Sequence, residues 1–250
     1  MPNFKDLFSA HAGDYAAYRP RYPKELFDLI TRNCSERKVA WDCGTGNGQA
    51  ALELAERFER VIATDPSESQ LKNAPAHPRI EYHPWTAEKT EIESASVNLI
   101  TVAQALHWFD FPLFNREVQR VAKPGAWLAV WCYSVASITP EVDQVAQHLY
   151  TELLKGHWEP ERRWVERAYE GIELPFEREE KLTLTMSHQL NLDSWLKYLD
   201  TWSAVKNCIK RTGQDPVQFL RPEFEKAWGD PAQSLTVKFP IHLRMGPVAL

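Results

Sequence analysis

The sequence predicts an α/β fold in which a mostly parallel sheet is covered by helices. Two observations carry this prediction. First, along residues 38–133 short apolar runs alternate with segments whose apolar residues recur at helical spacing. Second, the runs at 97–103 and 126–131 are largely apolar, which is typical of strands buried on both faces of a parallel sheet. Strands that alternate with helices form βαβ units, and such units build parallel sheets.

The predicted elements follow one another in a regular order. Strands are predicted at 38–42, 60–65, 79–83, 97–103, 126–131, 182–186 and 235–243. Helices are predicted from Pro23, over 51–58, from a Ser67 cap through Leu71, over 114–121, as one long helix over 142–153, over 158–169 and over 192–199. Residues 123–125, Lys-Pro-Gly, are predicted to form a turn. No linker separates the two halves, so residues 1–250 are interpreted as one domain.

Composition excludes several classes of protein. The 250 residues carry a net charge of −5 and no basic run, so a nucleic-acid partner is not expected. No stretch of 18 apolar residues and no apolar leader is present, so neither a membrane span nor secretion is expected. The four cysteines lie far apart, at Cys34, Cys43, Cys132 and Cys208. This spacing predicts a cytoplasmic protein with reduced thiols and no metal site.

A glycine-rich turn follows the first predicted strand and carries most of the chemical information. It reads Cys-Gly-Thr-Gly-Asn-Gly over residues 43–48 and leads into a helix. Glycines let a ligand approach the backbone, and the free N–H groups at a helix N-terminus bind its polar atoms. Open α/β sheets bind ligands at this end of their strands. However, Gly46-x-Gly48-x-x-Ala51 also fits the dinucleotide fingerprint, so the turn alone leaves a nicotinamide cofactor open.

Asp42, which ends the strand before the glycines, favours a different ligand. A carboxylate at this point repels the two phosphate charges of a dinucleotide. It attracts a ligand that carries an ammonium and a sulfonium, and S-adenosylmethionine (SAM) is such a ligand. We therefore expect SAM as the cofactor.

Residues 42–48 resemble motif I of the class I SAM-dependent methyltransferases, acidic-x-Gly-x-Gly-x-Gly. Three further segments fit this family: Asp65 at the end of the second strand, Thr86-Ala87-Glu88 after the third, and residues 102–109 after the fourth. An N-terminal Tyr-x-x-x-Arg-Pro-x-Tyr-Pro pattern and a His-Trp-Phe at 107–109 are similar to the trans-aconitate methyltransferase-like (type 11) group. Asn98 departs from the aspartate common on the fourth strand, a position that is mainly structural.

The resemblance implies the rest of the architecture. It implies a doubly wound, seven-stranded, mostly parallel Rossmann-like sheet whose last strand runs antiparallel, with a helical cover over the site. Within the single domain, the resemblance divides the chain into an N-terminal flap and helix at 1–36, a SAM-binding core at 37–133, substrate-cover helices at 134–180 and 188–232, and closing strands at 181–187 and 234–245.

The resemblance also implies a set of site residues. Those assigned to the cofactor are Tyr15, Arg19, Asp42, Gly44, Thr45, Gly46, Gly48, Asp65, Pro66, Ala87, Glu88 and Gln104. In the family, the acid at Asp65 bonds the two ribose hydroxyls, and the Ala-Glu pair lies near the adenine. Those assigned to the substrate are Tyr18, Tyr22, Trp108 and Trp202.

His107 is the candidate general base, because it lies just past the carboxyl end of a strand and an ordinary histidine titrates near neutrality. The alternative is a histidine that fixes the loop through a hydrogen bond or stacks on Trp108.

The expected function is transfer of a methyl group from SAM to a small-molecule acceptor, a carboxylate or a hydroxyl, by in-line displacement. Three alternatives remain: a SAM-binding protein without catalysis, a methyltransferase that acts on a protein, and, less favoured, an NAD-dependent oxidoreductase.

Overall fold

The computed structural model describes residues 19–250, so Tyr15 and Tyr18 lie outside the described residues. The strands are β1 Val39–Cys43, β2 Arg60–Thr64, β3 Ile80–His83, β4 Val97–Ala103, β5 Ala122–Tyr133, β6 Glu180–Leu190 and β7 Leu235–Pro247. The helices are α1 Lys24–Thr31, α2 Gln49–Ala55, α3 Glu68–Lys72, α4 Phe111–Val121, α5 Pro140–His148, α6 Arg162–Glu166, α7 Leu192–Asp200, α8 Ser203–Thr212, α9 Pro216–Phe219 and α10 Arg221–Trp228. A 3-10 turn covers Leu106–Trp108, and a π-helical turn covers Leu149–Leu153.

The sheet confirms the predicted fold class. Its seven strands lie in the order β3-β2-β1-β4-β5-β7-β6. Neighbouring strands from β3 to β5 pair in parallel, whereas β7 pairs antiparallel with both β5 and β6. The strand order reverses between β1 and β4, and an open α/β sheet binds its ligand in the crevice that this reversal creates.

Two apolar clusters pack on the sheet, one on each face. The first combines α1 and α2 with the cover helices α5, α7 and α8. The second combines α4 with Val165 of α6 and the loop residue Tyr169. Trp41, Trp131 and Trp195 are fully buried, which is the packing role expected for part of the tryptophans.

Several predicted elements differ in extent from the observed ones. Strand β5 includes residues 123–125, which were predicted as a turn, and its pairing with β4 shifts register between Val97 and Leu99. Strand β6 extends beyond the predicted 182–186. It lies at the edge of the sheet and only Met186 is buried, so an apolar pattern does not mark its full length. The predicted helix over 158–169 contains only Arg162–Glu166, and the chain after it turns into the left-handed region. The predicted helix over 142–153 changes to a π-helical turn after His148.

Within residues 19–250, no helix combines the length and apolar character that a membrane crossing requires.

Candidate functional site

A cleft of about 300 Å³ opens at the carboxyl ends of the central strands, where the strand order reverses. Its walls come from the glycine turn, the ends of β2, β4 and β5, and the cover. Most of the predicted site residues that the structure describes line this cleft: Arg19, Tyr22, Gly44, Thr45, Gly46, Asp65, Pro66, Ala87, Glu88, Gln104, His107, Trp108 and Trp202. Asp42 and Gly48 do not line it.

The glycine turn packs tightly against the segment after β4. Gly44 has φ +69°, and a Cβ atom on it would lie 2.6 Å from the Cβ of Ala105. The backbone N–H groups of Gly44 and Thr45 both donate to the carbonyl oxygen of Thr64, at 2.8 and 3.0 Å. The turn is therefore tied to the end of β2, and no other residue type fits at Gly44.

Gly48 is the residue before α2, and its role is packing rather than lining the cleft. Its φ is +82°, and a Cβ atom on it would lie 2.6 Å from the hydroxyl oxygen of Tyr82. Gly48 thus lies outside the cleft lining, contrary to the expectation, and its lack of a side chain leaves room for Tyr82 of β3.

Asp42 lies behind the glycine turn, which corrects the expectation that its carboxylate faces the ligand. Its side chain is fully buried. The carboxylate oxygens accept hydrogen bonds from the hydroxyls of Thr45, at 2.6 Å, and Thr101, at 2.8 Å. The residue thus holds the turn to the neighbouring strand β4. Burial raises its pKa to about 6, against the lowering effect of these hydrogen bonds.

We expect the stability of the protein to carry a pH signature of Asp42. The folded protein holds a proton on Asp42 up to about pH 6, whereas the unfolded chain releases it near pH 3.8. Raising the pH from about 4 to about 7 therefore destabilises the fold through this group, by roughly 3 kcal/mol. Asp42→Asn lacks the effect. Denaturant unfolding at pH 4, 5, 6 and 7 should show the wild type losing stability relative to Asp42→Asn across this window. Parallel profiles of the two proteins would contradict the burial argument.

Asp65 fixes the ligand-facing side of the turn. The backbone N–H of Gly46 donates to its Oδ2 and the backbone N–H of Ser67 to its Oδ1, both at 2.9 Å. A carboxylate has about four acceptor sites, so one carboxylate can accept several hydrogen bonds at once. Nearby, the buried Gln70 lines the same cleft, and its Oε1 has no hydrogen-bond partner among the described residues. This wall therefore presents acceptors that suit the hydroxyl groups of a ligand.

Gln104 follows β4 in a strained conformation. Its φ of +57° lies in the left-handed region, which costs a non-glycine residue on the order of 1–3 kcal/mol. Two hydrogen bonds to β5 hold it there: its N–H donates to the carbonyl oxygen of Trp131 at 2.8 Å, and its Oε1 accepts from the N–H of Tyr133 at 2.7 Å. The bend directs residues 105–109 across the mouth of the cleft.

Arg19 connects the core of the fold to the cover. Its guanidinium donates to the hydroxyl of Tyr133 at 2.6 Å and to the carbonyl oxygen of Thr201 at 3.2 Å. It also lies over the ring of Tyr198, 5.7 Å from the centroid. A delocalised cation therefore lines the cleft where β5 meets α7.

His107 does not have the properties expected of a general base. Burial, together with the positive charge of Arg162, lowers its pKa to about 3. Its Nδ1 lies 3.2 Å from the hydroxyl oxygen of Tyr169, and its ring packs on Trp108 with centroids 4.6 Å apart. The geometry therefore matches the alternative of a histidine held by a hydrogen bond and by stacking.

The cover supplies a wall of aromatic residues, of which only Trp202 was assigned to the substrate from the sequence. Trp158 packs on Tyr150, with ring centroids 4.6 Å apart, and on Trp202, at 5.6 Å. Arg162 lies over the Trp158 ring at 5.0 Å. Trp158, Trp202 and Arg162 line the cleft. No motif distinguishes Trp158 and Arg162, because they meet Trp202 only through the packing of the cover.

Comparisons with known proteins agree with this geometry. Residues 41–130 match the family described as a methyltransferase domain, type 11. A Dictyostelium discoideum protein named "putative methyltransferase" is 34% identical over 248 residues, which cover 96% of this chain and 94% of the relative. A solved structure described as a "putative type II methyltransferase" from Anaeromyxobacter dehalogenans is 44% identical, with a TM-score of 0.86 over 93% of this chain and 99% of the other.

A more distant structure shares the fold alone. It is a phosphoethanolamine N-methyltransferase from Haemonchus contortus in complex with S-adenosylhomocysteine, 14% identical, with a TM-score of 0.54 over 100% of this chain and 60% of the other. The whole-length relative, the family match and the sheet order lead to one conclusion: the chain belongs to the class I SAM-dependent methyltransferases.

Proposed function

We propose that the protein transfers a methyl group from SAM to a small-molecule acceptor. The observation that carries this proposal is Asp65, whose carboxylate joins the glycine turn to the start of α3 and lines the cleft. An acid at the end of the second strand is suited to bond two adjacent hydroxyls, such as those of a ribose.

The residues of the cleft fit SAM along its length. Asp65 and the unpartnered Oε1 of Gln70 would accept hydrogen bonds from the ribose hydroxyls. Ala87 and Glu88 would contact the adenine, and the Arg19 guanidinium would pair with the carboxylate of the methionine part. Gly46 has no side chain, so the ligand can approach the backbone of the turn there without a clash.

Methyl transfer from SAM requires the protein mainly to position the acceptor. When bound, SAM supplies a methyl group on a sulfonium, an activated electrophile with a neutral leaving group. The residues of the cleft must hold the acceptor in line, about 3–3.5 Å from the methyl carbon. The wall formed by Trp158 and Trp202 would exclude water from the acceptor. The Arg162 guanidinium above Trp158 favours an acceptor that carries a carboxylate or a hydroxyl.

A methyl-transfer assay tests this function. The protein is incubated with SAM and with separate pools of small carboxylic acids, phenols and aliphatic alcohols, and S-adenosylhomocysteine is quantified. We expect product above background with at least one pool, and none with Asp65→Ala. Binding of S-adenosylhomocysteine without turnover in any pool would instead support a SAM-binding protein without catalysis, and would contradict the proposed acceptor class.

We expect Arg19→Ala to weaken the binding of S-adenosylhomocysteine about tenfold or more, because a charge-assisted hydrogen bond is worth roughly 1.5–3 kcal/mol. Isothermal titration calorimetry measures this loss. Arg32→Ala is the matched control, since Arg32 is exposed and forms a surface ion pair with Glu180. Unchanged affinity and unchanged turnover in Arg19→Ala would reject both a cofactor role and a substrate role for this residue.

A further inference from the structure

Tyr169 lies behind the cleft, and among residues 19–250 its hydroxyl forms a hydrogen bond only with His107. The side chain is fully buried, and its hydroxyl oxygen is 3.2 Å from His107 Nδ1. The two rings stack with an interplanar angle of 30° and centroids 6.1 Å apart. Tyr169 does not line the cleft, whereas His107 does. Any influence of Tyr169 on a ligand therefore passes through the imidazole of His107.

The direction of this hydrogen bond follows from the surroundings of the hydroxyl. Among residues 19–250, Nδ1 of His107 is the only hydrogen-bond partner of this hydroxyl side chain. A buried O–H group without an acceptor is unfavourable. The tyrosine therefore donates its proton to Nδ1, and Nδ1 accepts.

The tautomer of His107 follows in turn. The imidazole is neutral, because burial and the positive charge of Arg162 lower its pKa to about 3. A neutral imidazole carries one proton, which must lie on Nε2 when Nδ1 is an acceptor. No residue in the described part of the chain accepts a hydrogen bond from Nε2, and the side chain lines the cleft. His107 thus presents an N–H donor to whatever occupies the cleft.

A strained and firmly anchored loop keeps Tyr169 in this position. Ala168 and Tyr169 have φ values of +52° and +63°, which non-glycine residues adopt only where the surroundings enforce it. The buried Arg244 of β7 supplies that support. Its guanidinium donates to the carbonyl oxygens of Tyr169 and Ile172 and pairs with Glu179. Arg244 thus ties the backbone of the loop that carries Tyr169 to strand β7.

We propose that Tyr169 locks His107 in its Nε2–H tautomer, so that His107 donates a hydrogen bond to an oxygen atom of the methyl acceptor. Tyr169 is then a positioning residue, and His107 is a donor rather than a base. This inference rests on the proposed function and narrows its substrate class.

The donor favours oxygen over nitrogen as the acceptor atom. An amine has one lone pair, and that pair must attack the methyl carbon. An ionised oxygen keeps further lone pairs for the hydrogen bond from Nε2–H. As its new bond to the methyl carbon forms, the bond from that carbon to sulfur breaks and the sulfur keeps the electron pair. Since the oxygen arrives without a proton, no base is required. The cleft is therefore suited to O-methylation of an acceptor that is ionised at neutral pH.

Nitrogen-15 NMR of protein labelled at histidine tests the tautomer without any methyl transfer. Loss of a signal pair in His107→Gln assigns the resonances of His107. We expect a protonated Nε2 and an unprotonated Nδ1 that do not titrate between pH 5 and 8, with S-adenosylhomocysteine present or absent. In Tyr169→Phe, we expect the single-tautomer pattern to be lost. A protonated Nδ1 in the wild-type protein would overturn the proposal. Because the wild-type spectrum shows which nitrogen of His107 is protonated, it tests the tautomer even if Tyr169→Phe does not fold.

Two substitutions of His107 separate a donor from a base in the methyl-transfer assay. The side-chain amide of Gln places an N–H near the position of Nε2, whereas that of Asn places it near Nδ1. We expect the kcat/KM of His107→Gln to stay within about tenfold of the wild type and that of His107→Asn to fall roughly tenfold to a hundredfold, because the lost hydrogen bond binds and orients an ionised acceptor. Equal losses in both variants would reject the donor role. Because the NMR pattern does not depend on turnover, failure of the tautomer and failure of methyl transfer are distinguishable.

Discussion

Asp65→Ala should reduce the affinity for S-adenosylhomocysteine by roughly a hundredfold or more. Two hydrogen bonds from ribose hydroxyls to a carboxylate are each worth about 1.5–3 kcal/mol, and about 1.4 kcal/mol corresponds to a tenfold change in affinity. The substitution also leaves the N–H groups of Gly46 and Ser67 without their acceptor, so the loop that faces the ligand loses its support. Calorimetric titration measures the affinity, and a thermal melt shows that the variant is folded at the temperature used.

Glu68→Gln is the matched control for Asp65→Ala. Glu68 lies three residues further on, is exposed and forms a surface pair with Lys72. Its substitution removes the same charge without touching the cleft. We expect its affinity to stay within about twofold of the wild type, because exposed ion pairs contribute little. Equal losses in the two variants would show that Asp65 acts through general electrostatics, and an unchanged affinity in Asp65→Ala would remove the residue from the cofactor site.

Gly44→Ala should destabilise the protein by roughly 2–5 kcal/mol and abolish cofactor binding. The added methyl group would lie 2.6 Å from the Cβ of Ala105 and 3.1 Å from the ring of Phe109. The overpacking costs about 1–3 kcal/mol, and the left-handed backbone adds about 1–2 kcal/mol for a residue with a Cβ. The turn and the segment after β4 must move apart, which disturbs both walls of the cleft. Denaturant unfolding and a binding titration measure the two effects.

Gly213→Ala isolates the backbone part of this effect. Gly213 ends α8 with φ +73°, close to the +69° of Gly44, but a Cβ atom on it would meet nothing within 4 Å. We expect a loss of about 1–2 kcal/mol and unchanged binding, because only the left-handed conformation is penalised. A Gly44→Ala variant that is no less stable than Gly213→Ala would contradict the close packing of the turn.

Local patterns predicted the part of the fold that builds the cofactor end of the cleft. The apolar run of β4, Val97–Ala103, was predicted to the residue because the strand is buried on both faces. Ser67 accepts a hydrogen bond from the N–H of Gln70, as the predicted cap requires. The antiparallel pairing of β7 with β5 followed from the family resemblance and is confirmed.

Patterns along the chain predicted the cover and the edge strand β6 only in part. Strand β6 is half exposed along its length, so its apolar signal is weak. The helix predicted over 158–169 ends early because Ala168 and Tyr169 take left-handed conformations, for which neither residue type carries a signal. The link from Arg244 to this loop joins segments about seventy residues apart, and only the folded structure brings them together.

The roles of two site residues also depend on contacts that a sequence does not contain. Asp42 was expected to face the ligand because it precedes the glycines, yet the hydroxyl of Thr101 on the neighbouring strand holds it behind the turn. His107 was expected to titrate near neutrality, yet burial and the charge of Arg162 lower its pKa to about 3. In both cases the residue type suggested a chemistry, and burial changed it.

Calorimetric titration of the purified protein with S-adenosylhomocysteine, with NAD as the control ligand, tests the identity of the cofactor directly. We expect micromolar binding of S-adenosylhomocysteine, weakened in Asp65→Ala and unchanged in Glu68→Gln, and no binding of NAD. Clear binding of NAD with no binding of S-adenosylhomocysteine would contradict it and would favour an oxidoreductase that uses the same glycine turn.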